Sequence, residues 1–154
     1  MALTVIESLA RSLESVKPVL YPDRGFIVPR GGIAESLESW IRDADARQLR
    51  EAVVRYTSLP SYGTSLCYLS SVITIEVAYP CSIPEDIREE MLMSDANAIV
   101  RQVTMRTSLW GQAESVYPTQ GAFVEALSDD SDRDILFVLS IPFNVIMSAA
   151  GTDR

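Results

Sequence analysis

The stretch Ile135 to Met147, Ile-Leu-Phe-Val-Leu-Ser-Ile-Pro-Phe-Asn-Val-Ile-Met, decides the fold. Ile135, Phe137, Leu139, Ile141, Phe143, Val145 and Met147 are apolar at every second position, which is the period of a strand with one face turned into a core. Leu136, Val138 and Ile146 make the opposite face partly apolar as well. Pro142 has no N–H to give a ladder, which predicts that this strand lies at an edge or is bulged there.

Upstream, the acidic run Ser128 to Asp134 reads as a turn, and Ala122 to Leu127 before it as a short strand. Gly111 to Gly121 is expected to be a loop. Leu66 to Tyr79 is a second strand, in which Val72, Ile73, Ile75 and Val77 are β-branched and Thr74 and Glu76 alternate with them, stopped by Pro80. Ser82-Ile83-Pro84-Glu85 has the capping-box form, so a helix should start there and run to about Thr107. Ile87, Met91, Ala98, Ile99 and Val103 supply its apolar face, with an interruption expected near Ser94 and Asp95.

In the first half, Leu3, Ile6, Leu9, Leu13 and Val16 are spaced three or four apart, giving an amphipathic helix over about 3–17 that ends before Pro18. Phe26 to Val28 lies between turn residues and reads as a short extended segment. From Ile33 to Tyr56 the pattern is mixed: Leu37, Trp40, Ile41, Ala44 and Leu49 suggest a helix, and Val53, Val54 and Tyr56 a strand at its end. Ser58 to Ser65, SLPSYGTS, carries turn chemistry throughout and is expected to be an exposed loop. The resulting class is α/β in the broad sense, α+β in particular. It is a single mixed or antiparallel β-sheet flanked by helices, in one domain over 1–154.

A chain of 154 residues with 47% hydrophobic and 22% charged residues has the material for one sizeable core. The net charge of −8 argues against wrapping a phosphate backbone, because that affinity comes from Lys and Arg displacing counterions. An acidic surface still permits DNA to pass without sticking. No run approaches the length of a membrane span, and the first residues lack the pattern of a secretory leader. Cys67 and Cys81 are expected to be reduced thiols.

There is no histidine, which removes the commonest general base and metal ligand and excludes Ser-His and Cys-His hydrolases. The glycines of Pro29-Arg30-Gly31-Gly32 and Tyr62-Gly63-Thr64 lack phosphate-loop spacing. Asp130, Asp132 and Asp134 imitate the opening of a calcium loop, but Ile135 stands where its glycine is needed and Ile141 where its glutamate is needed. No catalytic, cofactor or metal residues are therefore expected. The one candidate functional element is the turn bearing Asp129, Asp130, Asp132 and Asp134, whose crowded carboxylates require water around them.

The order of elements from the strand ending Ala78-Tyr79-Pro80, through the capped helix, a glycine-bearing loop, a short strand and the acidic turn to Leu136-Phe-Val-Leu-Ser-Ile-Pro-Phe-Asn-Val145 resembles the tail terminator, or tail-completion, proteins of long-tailed bacteriophages. The opening helix before Pro18 fits as well. The resemblance covers most of the chain by pattern and length and is weakest from Ile33 to Tyr56. It implies a non-enzymatic structural subunit of the virion, assembled in the host cytoplasm into a homohexameric ring at the neck end of the tail. Its partners would be the tail tube protein on one face and a neck or stopper protein on the other, with DNA passing through unbound and no membrane involved. The acidic turn would then line the channel or form the outer rim. Another neck or tail-tube subunit, or a small metal-independent enzyme working through carboxylates, Tyr or Cys, are the other readings of the same residues.

Overall fold

The computed structural model describes residues 5–28, 49–62, 68–105, 113–119, 121–128 and 134–148. Its elements are helix α1 (Val5–Ser15), strands β1 (Ala52–Tyr62) and β2 (Tyr68–Pro80), helix α2 (Glu85–Met105), and strands β3 (Ala113–Pro118), β4 (Phe123–Ser128) and β5 (Asp134–Ser148). The five strands form one antiparallel sheet, so the fold is α+β as the alternation predicts.

β5 is an interior strand, not an edge. On one side it pairs with β2 from Tyr68↔Ser148 to Pro80↔Leu136 without a shift. On the other it pairs first with β4, from Asp134 to Ser140, and then with β3, from Phe143 to Met147. Pro142 falls between the two. The Pro142 carbonyl accepts a hydrogen bond from the Thr119 amide at 3.1 Å, so it points to the β3 side. In a strand the N–H and C=O of one residue point the same way, so the missing donor faces the gap where β4 hands over to β3. The expected edge or bulge is replaced by a break in the neighbouring strand.

Both helices pack on one face of the sheet. Leu9 and Leu13 of α1 and Met91, Ile99 and Val103 of α2 meet Ile73, Ile75, Val77, Tyr79, Leu139, Ile141, Phe143 and Val145 in the core. Gln102 ties the helices together by donating to the Ser12 and Ser15 hydroxyls at 3.0 and 3.1 Å. On the other face, Ala78, Leu127, Leu136 and Val138 form a second, smaller buried cluster.

Three other expectations are corrected. β1 continues through Pro60 to Tyr62, where a loop is expected from Ser58. The strand survives because β2 lies beside it, and the turn-forming residues appear instead as register shifts after Tyr56 and Ser58. Ala113–Pro118 is a strand, not part of a loop over 111–121, because β5 offers it an unpaired edge. α2 is continuous through Ser94 and Asp95. Helix α1, the extended Phe26–Val28 segment, the strand character of Val53 to Tyr56, the start of α2 and the strand after Ala122 all stand where the patterns put them, the second as one bridge between Ile27 and Glu51. The helix expected before Leu49, with Trp40, lies outside the described residues.

Candidate functional site

Asp95 occupies one position of a stripe on α2 that repeats every fourth residue, Met91, Asp95, Ile99 and Val103, all buried. A carboxylate on such a stripe needs a partner. It meets Arg50, which precedes β1 and is likewise 0% exposed. Arg50 Nε donates to Asp95 Oδ2 at 2.7 Å and Nη2 to Oδ1 at 3.0 Å, a bidentate pair.

The rest of the guanidinium is spent on backbone. Nη2 donates to the Leu20 carbonyl at 2.6 Å, and Nη1 to the Tyr21 and Arg24 carbonyls at 2.9 and 2.7 Å. All five N–H donors of Arg50 therefore have acceptors. The segment after α1 is wrapped around this one side chain, with the Phe26 ring centroid 5.7 Å from the guanidinium carbon. Two non-glycine residues take left-handed backbone to allow it, Tyr21 at φ 50° and Arg50 at φ 63°.

Asp95 accepts a third bond, 2.6 Å from the Tyr79 hydroxyl of β2. Burial, reinforced by the Asp95 charge, pushes the Tyr79 phenol well above its ordinary value of 10, so it stays a proton donor. Arg50, Asp95 and Tyr79 are thus a closed, dry anchor holding the Leu20–Arg24 turn, α2 and β2 together. None of the three stands out as a functional residue in the sequence.

A second arginine pair sits on the sheet face away from the helices. Arg55 Nε of β1 lies 2.6 Å from Glu76 Oε1 of β2, close in distance but not aligned as a hydrogen bond. The Glu76 side chain is 6% exposed and that of Arg55 31%. Burial raises the Glu76 carboxyl, the Arg55 charge lowers it, and the charge of Glu125 on β4 raises it again, with a net upward shift. Beside them, the Thr57 and Thr74 hydroxyls lie 3.0 Å apart and share a hydrogen bond.

β4 is the barest element of the described sheet. Every residue from Phe123 to Ala126 is exposed, Phe123 by 46% and Val124 by 47%, although they point to opposite faces.

Of the acidic turn, Asp129, Asp130 and Asp132 lie outside the described residues, while Asp134 opens β5 opposite Ser128. The acidic run therefore lies between β4 and β5 along the chain. Cys81 is half-buried and outside any disulfide; Cys67 lies outside the described residues. Among the described residues no three potential ligands are grouped to hold a metal ion, and no helix is long and apolar enough to cross a membrane. No known family model matches this chain, and no curated protein matches it in sequence.

Proposed function

We propose that this chain is the ring-forming subunit of a tail terminator, a non-enzymatic virion protein that caps a phage tail tube and joins it to the neck. The observation that carries the reading is the element order: β2 into a capped α2, then β3, and the β4–β5 hairpin closed by the acidic turn, built as one antiparallel sheet with both helices on one face. That is the small α+β subunit that the resemblance implies. The polar groups that are buried deepest, Arg50, Asp95 and Tyr79, are consumed in holding the fold, which suits a structural part.

In the assembled ring the β4–β5 turn repeats its carboxylates by symmetry, and a channel wall made of them repels DNA phosphates. The tail tube protein and a neck or stopper protein are the partners on the two faces, and assembly takes place in the host cytoplasm. Electron microscopy of the purified full chain tests the reading, with closed six-fold rings expected; monomers at every accessible concentration would refute it. The turn is tested by changing Asp129, Asp130, Asp132 and Asp134 together to Asn. Exposed charges contribute little to stability, so assembly should survive. DNA ejection should slow at low ionic strength and recover as salt is raised. Unchanged ejection at low salt assigns the turn to the outer rim.

A further inference from the structure

The sheet ends in two edges that lack a partner strand over most of their length among the described residues, β1 on one side and, on the other, β4 followed by β3 along β5. Which backbone groups face outward follows from the backbone hydrogen bonds. The Pro142 carbonyl faces the β3/β4 side, so the even-numbered residues of β5 bond toward β4 and the odd-numbered ones toward β2. Phe123↔Ser140, Glu125↔Val138 and Leu127↔Leu136 are then the bonded pairs of the hairpin, which leaves Val124 and Ala126 with their N–H and C=O pointing out. The same alternation carried across β2 makes Val53↔Glu76 and Arg55↔Thr74 bonded pairs and leaves Val54 and Tyr56 pointing out from β1. The Ala52 amide, which donates to the Ile27 carbonyl at 2.8 Å, agrees with this alternation.

The direction of the strands fits too. Neighbours alternate from β1 through β2 and β5 to β4, so β4 of one copy laid beside β1 of another, with the helix faces on the same side, is antiparallel to it. In an antiparallel ladder an outward residue must meet an outward residue. One alignment does this and also brings Arg55 opposite Glu125: Val54 meets Ala126, Tyr56 meets Val124, Val53 meets Leu127 and Thr57 meets Phe123. Moving it by two residues either way sets Arg55 against Phe123 or Leu127. Arg55 and Glu125 both stand on the face away from the helices, in a non-bonded position where side chains approach most closely. Arg55 approaches Glu76 through Nε and keeps 31% of its side chain exposed, so its guanidinium remains open to a second carboxylate.

We infer that β4 of one copy adds to the first half of β1 of the next, in the register Val54–Ala126, Arg55–Glu125 and Tyr56–Val124, so that the sheet runs on from subunit to subunit. The inference rests on the ring reading and gives it a surface. Head-to-tail pairing of two different edges is the kind of contact that closes into rings. The two edges also differ in protection. β1 is interrupted beyond Tyr56 by its register shifts and Pro60, which confines pairing to its first half. From Phe123 to Leu127 β4 keeps a regular register with β5, shifting only at Ser128, and it has no proline or lysine, two usual defences of an exposed edge, while Phe123, Val124 and Ala126 are bare.

The test uses the full chain with Cys67→Ala and Cys81→Ala, to which Arg55→Cys and Glu125→Cys are added together. Within one chain the two positions are three strand spacings apart, roughly 14 Å, beyond the reach of a disulfide. Mild oxidation should therefore give a ladder of cross-linked multimers that ends at the ring size, and each single-cysteine form should give no species beyond a dimer. Rings by electron microscopy with only monomer on the non-reducing gel would overturn the edge pairing and leave the ring reading intact. Monomers throughout, with the unaltered chain also monomeric, would overturn both. In the native background Glu125→Arg, at an exposed position, should not lower the melting temperature and should weaken assembly roughly two- to five-fold per interface. Undiminished assembly of that variant would also count against the pairing.

Discussion

Arg50 and Arg55 stand five residues apart at the start and in the middle of one edge of the sheet, and both face a carboxylate. The first is sealed on the helix side with five bonds; the second, on the opposite face, makes one close contact and keeps a third of its surface. The difference shows that an ion pair is informative through what else the charges hold. Arg50 is irreplaceable because three backbone carbonyls depend on it as well as Asp95. Arg55 holds little and remains available at an edge.

The largest expected effect comes from breaking the sealed pair. Asp95→Ala leaves the Arg50 charge buried without its counterion, costing about 3–5 kcal/mol against a total stability of about 5–15 kcal/mol. Urea unfolding measures it. The sharper experiment replaces both partners, Arg50→Met with Asp95→Leu. A simple buried ion pair often tolerates such a swap. Here the double variant should stay strongly destabilised, since the Leu20, Tyr21 and Arg24 carbonyls lose their donors. Recovery to wild-type stability would show that the carbonyl contacts contribute nothing.

Next in size is Tyr79→Phe. It leaves the ring in the core and takes one of three bonds from Asp95, for a loss of about 1–3 kcal/mol. The same change combined with Asp95→Asn should be less than additive, because both act on one network. Strict additivity in a double-mutant cycle would mean that Tyr79 and Asp95 do not act together.

These sites also mark the limit of what the residues reveal before folding. The alternation from Ile135 to Met147 identifies β5 because burial on the helix face demands it, and the spacing of Leu9 and Leu13 identifies α1 for the same reason. β3 escapes because Ala113–Pro118 has no pattern of its own and becomes a strand through the free edge of β5. Pro142 misleads because its meaning depends on where β4 ends. Asp95 is legible in part: an acid at the fourth-residue spacing between Met91 and Ile99 signals a buried partner, although it reads equally as a helix break. Nothing in the sequence selects Arg50 from the other arginines, since the choice is made by contacts with Leu20–Arg24 thirty residues away in the chain.

The smallest effect belongs to the open pair, and it is one of pH. The native Glu76 carboxyl is held above its ordinary value of 4.5, chiefly by burial, with Arg55 opposing and Glu125 adding to the shift. The folded chain therefore binds this proton more tightly than the unfolded chain does. Stability falls as pH rises from the ordinary value through the raised one, and is level beyond it. Glu76→Gln cannot ionise, so it should abolish this decline and be no less stable than the parent at the upper end of the window. Arg55→Gln removes the attraction that favours the carboxylate, so the decline should extend to higher pH, while Glu125→Gln should shorten it. Melting temperatures of the three variants from pH about 4 to about 8 distinguish these outcomes. A decline that Glu76→Gln leaves in place would assign it to other carboxylates. An Arg55→Gln profile matching the parent would mean that the 2.6 Å approach carries no electrostatic weight and that Arg55 is held there by the strand alone.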